Sequence, residues 1–404
     1  MKLKIKNFSG IKEEEIIFDG LTIVAGYNNT GKSTIGKIIA TLFKSLNDLT
    51  EKREKERFFA IYRRLELSID KFSELKSFRR TELRHIAEEL NKLEKIDHNK
   101  VHAIFEKYTN NQELNYTAED IDKIINIKKI PDNEVDLEIL TNEFNEVFHD
   151  QINNIHNEEI AEINLIIKEK ETILRFQNNK CIYYDSNTTI IHSSFYIDNP
   201  FYVDYMHEYG FSTEDLTTQL VEEKNNVIDS IMSTNKLKKV FEILNQVVPY
   251  QIVKENRDFY VTDKNNLLNV ANLSTGIKSF FIIKRLIENG NLGEQDVLVL
   301  DEPEIHLHPE WQIIYAELIV ILQKIFNLTI FITSHSPYFI EALDLFSRKH
   351  ESTKITHFYL TKKDNKDNII MEELENIENI FKLLADPFKR LEEIEYELNE
   401  NDEK

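Results

Sequence analysis

A short segment near the N-terminus carries residues that could hold a phosphate group. Gly26–Ser33 begins with a glycine and ends Gly-Lys-Ser, which is the spacing of a P-loop. Backbone N–H groups and the start of the following helix would face the anion, Lys32 would reach the outer phosphates, and Ser33 would bind Mg²⁺. The predicted nucleotide-binding residues of this segment are Gly26, Asn28, Asn29, Thr30, Gly31, Lys32, Ser33 and Thr34.

Two carboxylates follow the apolar run Val297–Leu300. The run predicts a buried strand, and ligands of open α/β sheets bind where such strands end. We expect Asp301 to hold Mg²⁺ through water and Glu302 to polarise the water that attacks the phosphate. The sequence therefore predicts Ser33 and Asp301 as metal ligands and Glu302 as a catalytic residue.

A histidine follows a second apolar run, which begins at Thr329. At the same edge of the sheet, His335 could sense or stabilise the γ-phosphate, and we predict it as a second catalytic residue. A hydrogen-bonded turn histidine is the alternative for this segment taken alone.

A fourth segment, Leu273–Gly276, precedes a run with apolar residues at helical spacing. Ser274 is a natural N-cap, and a helix start favours an anion. We predict that Ser274 and Gly276 contact nucleotide, although a plain helix cap explains them equally well in isolation.

The predicted helices and strands that position these motifs follow the order of an α/β fold. Strand, glycine-bounded loop and helix follow one another in the first 45 residues, and buried strands alternate with helices over 272–332, which predicts a mixed or parallel sheet. Residues 46–175 lack glycine and predict a helical, partly coiled-coil insertion, with one helix over Ile160–Leu174. The expected domains are a head formed by 1–45 and 176–360, the insertion 46–175, and an acidic helical tail over 361–404.

Charge and composition limit the partners. The formal net charge of −21 argues against non-specific adhesion to nucleic acid. Residues 51–130 carry 18 Lys and Arg against 16 Asp and Glu, so a nucleic-acid surface is expected there if anywhere, around Arg63-Arg64 and Arg79-Arg80. Solvated helix faces explain these charges as well. One cysteine, no signal peptide and no long apolar run predict a cytoplasmic protein without membrane association.

In this order the four motifs resemble those of the ABC-type ATPases, in particular their soluble SMC-like branch. Asp301–Pro309 and Thr333–Pro337 look like the corresponding segments of OLD-type ATPases, a subgroup that includes anti-phage defence ATPases such as that of the Septu system. The resemblance implies an ABC-type head that binds ATP and Mg²⁺ and hydrolyses ATP. It also implies a homodimer with two ATP molecules between the heads, in which Leu273–Gly276 completes the site of the other subunit. Larger assemblies stay open.

Two features depart from these families. The Q-loop glutamine cannot be placed, and the region Tyr196–Asp204 is the candidate for its role. OLD nucleases carry a C-terminal Toprim domain, for which the residues after His335 are too few. We therefore predict that this chain has no nuclease activity of its own.

These expectations predict an ATP-driven sensor or regulator in bacterial anti-phage defence, acting on a separately encoded effector, either a nuclease or a toxin. One alternative is an SMC-like ATPase of DNA repair or chromosome handling that binds DNA directly, through the helical insertion. Another is the nucleotide-binding subunit of a transporter, in which the insertion would be out of place.

Overall fold

The computed structural model describes residues 1–70, 80–93, 95–109, 117–154, 159–208, 216–224, 237–255, 258–263, 266–364 and 368–402. The strands are β1 (Lys2–Phe8), β2 (Ile11–Ile17), β3 (Leu21–Gly26), β4 (Ala161–Ile167), β5 (Lys170–Gln177), β6 (Lys180–Ser186), β7 (Ser194–Ile197), β8 (Gln251–Glu255), β9 (Asp258–Asp263), β10 (Asn266–Asn269), β11 (Val297–Asp301), β12 (Thr329–Ser334), β13 (Thr356–Lys363) and β14 (Ile369–Leu374). The helices are α1 (Lys32–Leu46), α2 (Leu49–Asp70), α3 (Arg80–Lys92), α4 (His98–Thr109), α5 (Ala118–Lys129), α6 (Asp132–Phe148), α7 (Leu216–Val221), α8 (Lys238–Val247), α9 (Thr275–Glu288), α10 (Pro309–Phe326), α11 (Pro337–Lys349) and α12 (Glu378–Asp402). A 3₁₀ segment spans Pro200–Glu208.

The central sheet has the strand order β14-β13-β3-β12-β11-β7. Its strands are parallel except for β14, which pairs antiparallel with β13 at one edge. Because β3, β12 and β11 are parallel neighbours, their carboxyl ends meet at one edge of the sheet. Gly26, Asp301 and Ser334 end these three strands. The predicted α/β fold is confirmed, and it brings the motif-bearing strand ends together.

Each face of the central sheet builds its own core, because alternate strand residues point to opposite sides. Leu298 and Leu300 belong to the core that contains residues of α9, α10 and α11. Val297 and Val299 belong to the core on the other face, which contains residues of α1. Burial on both faces explains why these strands are continuous apolar runs.

A second sheet is antiparallel, in the order β2-β1-β4-β5-β6. It shows that the helix predicted over Ile160–Leu174 is wrong. Ala161, Ile163 and Leu165 alternate with more exposed neighbours and face the core. The chain then reverses at two residues with positive φ, Lys168 and Glu169, so pairing with the distant β1 outweighs the helical propensity of this segment.

Within the described residues, the insertion forms the helices α2 to α6, which divide into two parts. Helices α2 to α5 enclose a core of their own, separate from the two cores of the head. Helix α6 packs on the head instead, where Phe144 and Phe148 contact Phe8 of β1. Arg53 of α2 forms ion pairs with Asp132 and Asp136 of α6, which tie the bundle to the head-bound helix.

The tail predicted as helical over 361–404 begins with a strand. β14 extends the central sheet and buries Ile369, so the helix starts only at Glu378. The apolar pair Ile369-Ile370 gains more from burial at the sheet edge than from an exposed helix. Within the described parts of the chain, no helix is long and apolar enough to cross a membrane.

Candidate functional site

The two glycines of the loop after β3 stand where no larger residue fits. Gly26 has a φ of 151°, and a Cβ atom there would lie 2.1 Å from Oγ1 of Thr361. Gly31 has a φ of 78°, and a Cβ atom there would lie 2.7 Å from the side chain of Ile369. Thr361 of β13 leaves no room for a side chain at Gly26, and the left-handed backbone favours glycine at Gly31, so both positions suit glycine.

The other predicted loop residues differ in exposure. Asn28 and Asn29 are exposed, whereas Thr30 is buried and its hydroxyl donates to the carbonyl of Tyr27 at 2.6 Å. Thr34 lies half-buried in the first turn of α1. The loop is thus held by its own side chains as well as by the sheet.

Lys32 is a buried cation at the start of α1. Its side chain is 4% exposed, and Nζ donates to the carbonyl oxygens of Gly26 at 3.2 Å and Tyr27 at 2.8 Å. Burial lowers the pKa of Lys32, and the charges of Glu302 and Asp301 oppose that shift. A buried ammonium beside a helix N-terminus is a site that an anionic phosphate group fits, since the phosphate compensates a charge removed from water.

Asp301 accepts hydrogen bonds from three hydroxyl groups. Ser33 Oγ donates to Oδ1 at 3.0 Å and Tyr196 Oη donates to Oδ2 at 2.7 Å, while Thr333 Oγ1 also donates to Oδ1. The two predicted metal ligands, Ser33 and Asp301, are therefore in direct contact. Hydroxyl and carboxylate oxygens are the ligands that Mg²⁺ prefers, so this pair fits that ion. Tyr196 lies within the candidate Q-loop region, but its contact with Asp301 was not predicted.

Glu302 and His335 form the second predicted pair of the site. His335 Nε2 lies 3.2 Å from Glu302 Oε1. The Glu302 backbone, with a φ of 50°, donates its N–H to the hydroxyl and the carbonyl oxygen of Thr333. Burial and the charge of Lys32 lower the pKa of His335, and Glu302 opposes the shift, so the imidazole is neutral at pH 7. A carboxylate beside a neutral imidazole can orient a water molecule and accept its proton.

Ser274 and Gly276 lie at the start of α9, beside the loop that follows Glu302. Ser274 holds the N-cap position and is exposed, but its side chain makes no capping hydrogen bond. A Cβ atom on Gly276 would lie 3.0 Å from both the His306 carbonyl oxygen and the Trp311 ring. His308 N-caps α10, accepting the N–H of Glu310 at 3.4 Å. The structure thus joins the P-loop segment, Asp301, Glu302 and His335, and sets the fourth motif beside His306, farther along the loop that follows Glu302.

The sequence matches the AAA ATPase domain family over residues 1–340. The chain belongs to this family. An AAA ATPase domain binds and hydrolyses ATP, so this chain is a nucleotide-binding ATP hydrolase.

Individual relatives of this AAA-family ATPase match more weakly. The chain is 28% identical to the Septu protein PtuA of Bacillus thuringiensis over 152 residues, which are 34% of this chain and 36% of that protein. The alignment therefore spans about a third of that relative's length. Among solved structures, an SMC head bound to the C-terminal winged-helix domain of ScpA matches with a TM-score of 0.49 and 13% identity, covering 94% of this chain and 98% of that one. The SMC head domain of Thermotoga maritima matches with a TM-score of 0.39 and 10% identity, covering 93% and 98%.

Proposed function

We propose that this ATPase is the regulatory subunit of a bacterial anti-phage defence system, controlling a separately encoded effector such as a nuclease or a toxin. The observation that carries the proposal is the similarity to the Septu protein PtuA. The resemblance of Asp301–Pro309 to OLD-type defence ATPases supports it.

Within this proposal, the site residues divide the work of binding and hydrolysis. Lys32 and the loop N–H groups hold the phosphates of ATP, and Ser33 and Asp301 hold Mg²⁺, which neutralises phosphate charge when bound. Glu302 orients the attacking water and accepts its proton. His335, kept neutral by burial, stands beside Glu302 and contacts the γ-phosphate.

We further propose that ATP closes two heads into a homodimer, with Ser274 and Gly276 of one subunit facing the ATP of the other. Exposure of Ser274 without a capping bond supports this, since its hydroxyl is available to a ligand. Ile305, on the adjoining loop, is also exposed, and a large apolar side chain at such a place suits a protein contact. Closure and reopening would reach the effector through the α2–α5 bundle.

Direct DNA binding through the insertion has less support. Arg64 forms an ion pair with Asp120 at 2.6 Å, so its charge is already compensated. Arg63 and Arg80 are exposed on α2 and α3, whereas Arg79 lies outside the described residues. Two exposed arginines on a chain with a net charge of −21 are a weak electrostatic footprint for nucleic acid.

The test is to purify tagged Glu302→Gln protein from its native host and to identify what accompanies it. Glu302→Gln should bind ATP but hydrolyse it very slowly, which holds the protein in its ATP state. Lys32→Ala is the matched control, because it removes the cation that compensates the phosphates and should not reach that state. The purified partner is then assayed for nuclease or toxic activity with each variant.

A stoichiometric protein that accompanies Glu302→Gln but not Lys32→Ala, and whose activity depends on the nucleotide state, supports the regulatory function. Nucleic acid alone, lost on nuclease treatment, would favour the DNA-handling alternative instead.

A further inference from the structure

A third acidic residue, Glu304, is buried beside the Glu302–His335 pair. Its side chain is 5% exposed, and Oε1 accepts three hydrogen bonds from consecutive residues that begin with the last residue of β12. The donors are Ser334 Oγ at 2.6 Å, His335 N at 2.8 Å and Ser336 N at 3.2 Å. Burial raises the pKa of Glu304, and these hydrogen bonds oppose the shift.

These bonds join two loops that carry different functional side chains. Glu302 and Glu304 lie on the loop after β11, and His335 lies on the loop after β12. The Glu302 N–H is bonded to Thr333, one residue before the segment that Glu304 holds. Hydrogen bonds from Glu302 to Thr333 and from Ser334–Ser336 to Glu304 therefore hold the two loops together on either side of the Glu302–His335 pair.

A neighbouring amide supports the same junction. Gln312 of α10 accepts a hydrogen bond from Ser336 Oγ at 2.6 Å, and its Nε2 donates to the Leu307 carbonyl oxygen at 3.1 Å. The Leu307 N–H in turn donates to the Glu304 carbonyl oxygen at 2.9 Å. The backbone and the side chain of Glu304 thus belong to one hydrogen-bond network, which also includes Leu307, Gln312 and Ser336.

We propose that Glu304 is a positioning residue, whose carboxylate holds the backbone of Ser334–Ser336 and thereby sets His335 against Glu302. A carboxyl oxygen suits this task because it can accept several N–H and O–H groups at once. The backbone N–H groups that it accepts stand at the start of α11, where the helix dipole favours a negative charge. This inference rests on the proposed catalytic roles of Glu302 and His335.

The test compares Glu304→Gln with a matched buried carboxylate at the opposite end of the same strand. Asp296, 6% exposed, directly precedes β11 and accepts the N–H groups of Ser193 at 2.8 Å and Gly293 at 2.7 Å. Glu304→Gln and Asp296→Asn should lower the melting temperature by similar amounts. Only Glu304→Gln should lower kcat, by at least about tenfold, with the KM for ATP within about threefold of wild type.

A double variant separates positioning from a general loss of stability. If Glu304 acts through His335, adding Glu304→Gln to His335→Ala should lower kcat by less than about threefold further. Ser334→Ala removes one of the three donors and should lower kcat by less than Glu304→Gln does. This variant tests the inference if Glu304→Gln folds poorly.

A wild-type kcat in Glu304→Gln, an equal loss of kcat in Asp296→Asn, or a full further loss in the double variant would each overturn the inference. Failure of the underlying site assignment looks different, because His335→Ala alone would then retain wild-type turnover.

Discussion

Asp301 accepts a hydrogen bond from a hydroxyl group on a strand that carries none of the four motifs. Tyr196 lies on β7, the edge neighbour of β11, where it pairs with Val299, two residues before Asp301. Its hydroxyl donates to Asp301 at 2.7 Å, and burial together with the Asp301 charge raises the pKa of Tyr196. The phenol is therefore protonated at neutral pH and acts as a hydrogen-bond donor that orients the carboxylate.

We predict that Tyr196→Phe raises the Mg²⁺ concentration needed for half-maximal ATPase activity by about three- to tenfold, which corresponds to the net contribution of one ordinary hydrogen bond, roughly 0.5–1.5 kcal/mol. A Mg²⁺ titration at saturating ATP measures this. Tyr202→Phe is the matched control, since Tyr202 donates to Asp198 nearby, at 3.1 Å. An unchanged or lower Mg²⁺ requirement in Tyr196→Phe would contradict the prediction.

The three residues of the proposed binding and hydrolysis steps should fail in different ways. Lys32→Ala should lose ATP binding, because its buried charge compensates the phosphates. Glu302→Gln should still bind ATP but lose about 100-fold or more in kcat, because it lacks the general base. His335→Ala should impair kcat with little change in binding. Fluorescent-nucleotide binding and steady-state turnover, measured on the same preparations, separate these outcomes, and wild-type turnover in Glu302→Gln would refute its assignment as the base.

At this scale the sequence predicted the side chains that sit on strand ends but not those that support them. Asp301 and His335 follow apolar runs, and Ser33 is the last residue of the P-loop pattern, so the sequence alone reveals all three. Tyr196 and Glu304 have no such signal, since their contacts depend on how β7 pairs with β11 and how two loops meet.

At the scale of elements, β2 and β14 are joined by a buried carboxyl group. Glu14 Oε2 accepts the N–H of Met371 at 3.1 Å. Burial raises the pKa of Glu14 from its ordinary 4.5 to about 7, against the opposing effect of that hydrogen bond. The protonated form is therefore favoured by folding. Its stabilising contribution is fully present below pH 4.5 and is lost as the pH rises through 7.

Glu14→Gln should consequently be more stable than the wild type at high pH only. The amide cannot ionise and still offers an acceptor to Met371, so we expect a gain of roughly 1–3 kcal/mol in unfolding free energy at pH 8.5 and almost none at pH 4. Urea denaturation at the two pH values measures it. Glu13→Gln, at an exposed side chain of the same strand, is the matched control. Equal gains at both pH values would show that ionisation is not the cause.

The elements that the sequence misassigned are those whose partners are distant in the chain. The segment 160–174 contains Glu, Leu and Ile in proportions that suit either a helix or a strand, and its pairing with β1 across about 160 residues decides the outcome. β14 likewise exists because β13 is available to pair with it. The strands next to the motifs were easier to predict, since β3, β11 and β12 are mostly apolar, are buried along nearly their whole length and end beside the motif residues.

At the scale of the whole molecule, the proposed dimer rests on the position of the fourth motif. Ser274 lies at the exposed start of α9, two residues before Gly276, which faces the loop of His306, whereas Lys32 and Asp301 lie at the central sheet edge. In a head-to-tail dimer each ATP site takes Lys32 from one chain and Ser274 from the other.

This arrangement predicts complementation between two impaired variants. Lys32→Ala provides an intact Ser274 but binds no ATP, and Ser274→Ala provides an intact Lys32 but completes no site. Adding an excess of Lys32→Ala to a fixed amount of Ser274→Ala should raise the total ATPase rate severalfold, because each mixed dimer contains one whole site. The double variant Lys32→Ala/Ser274→Ala, added in the same excess, should give no increase, since it brings neither residue. If both proteins leave the rate unchanged, Ser274 serves only its own chain, and the proposed dimer would have to be abandoned while the ATPase assignment stands.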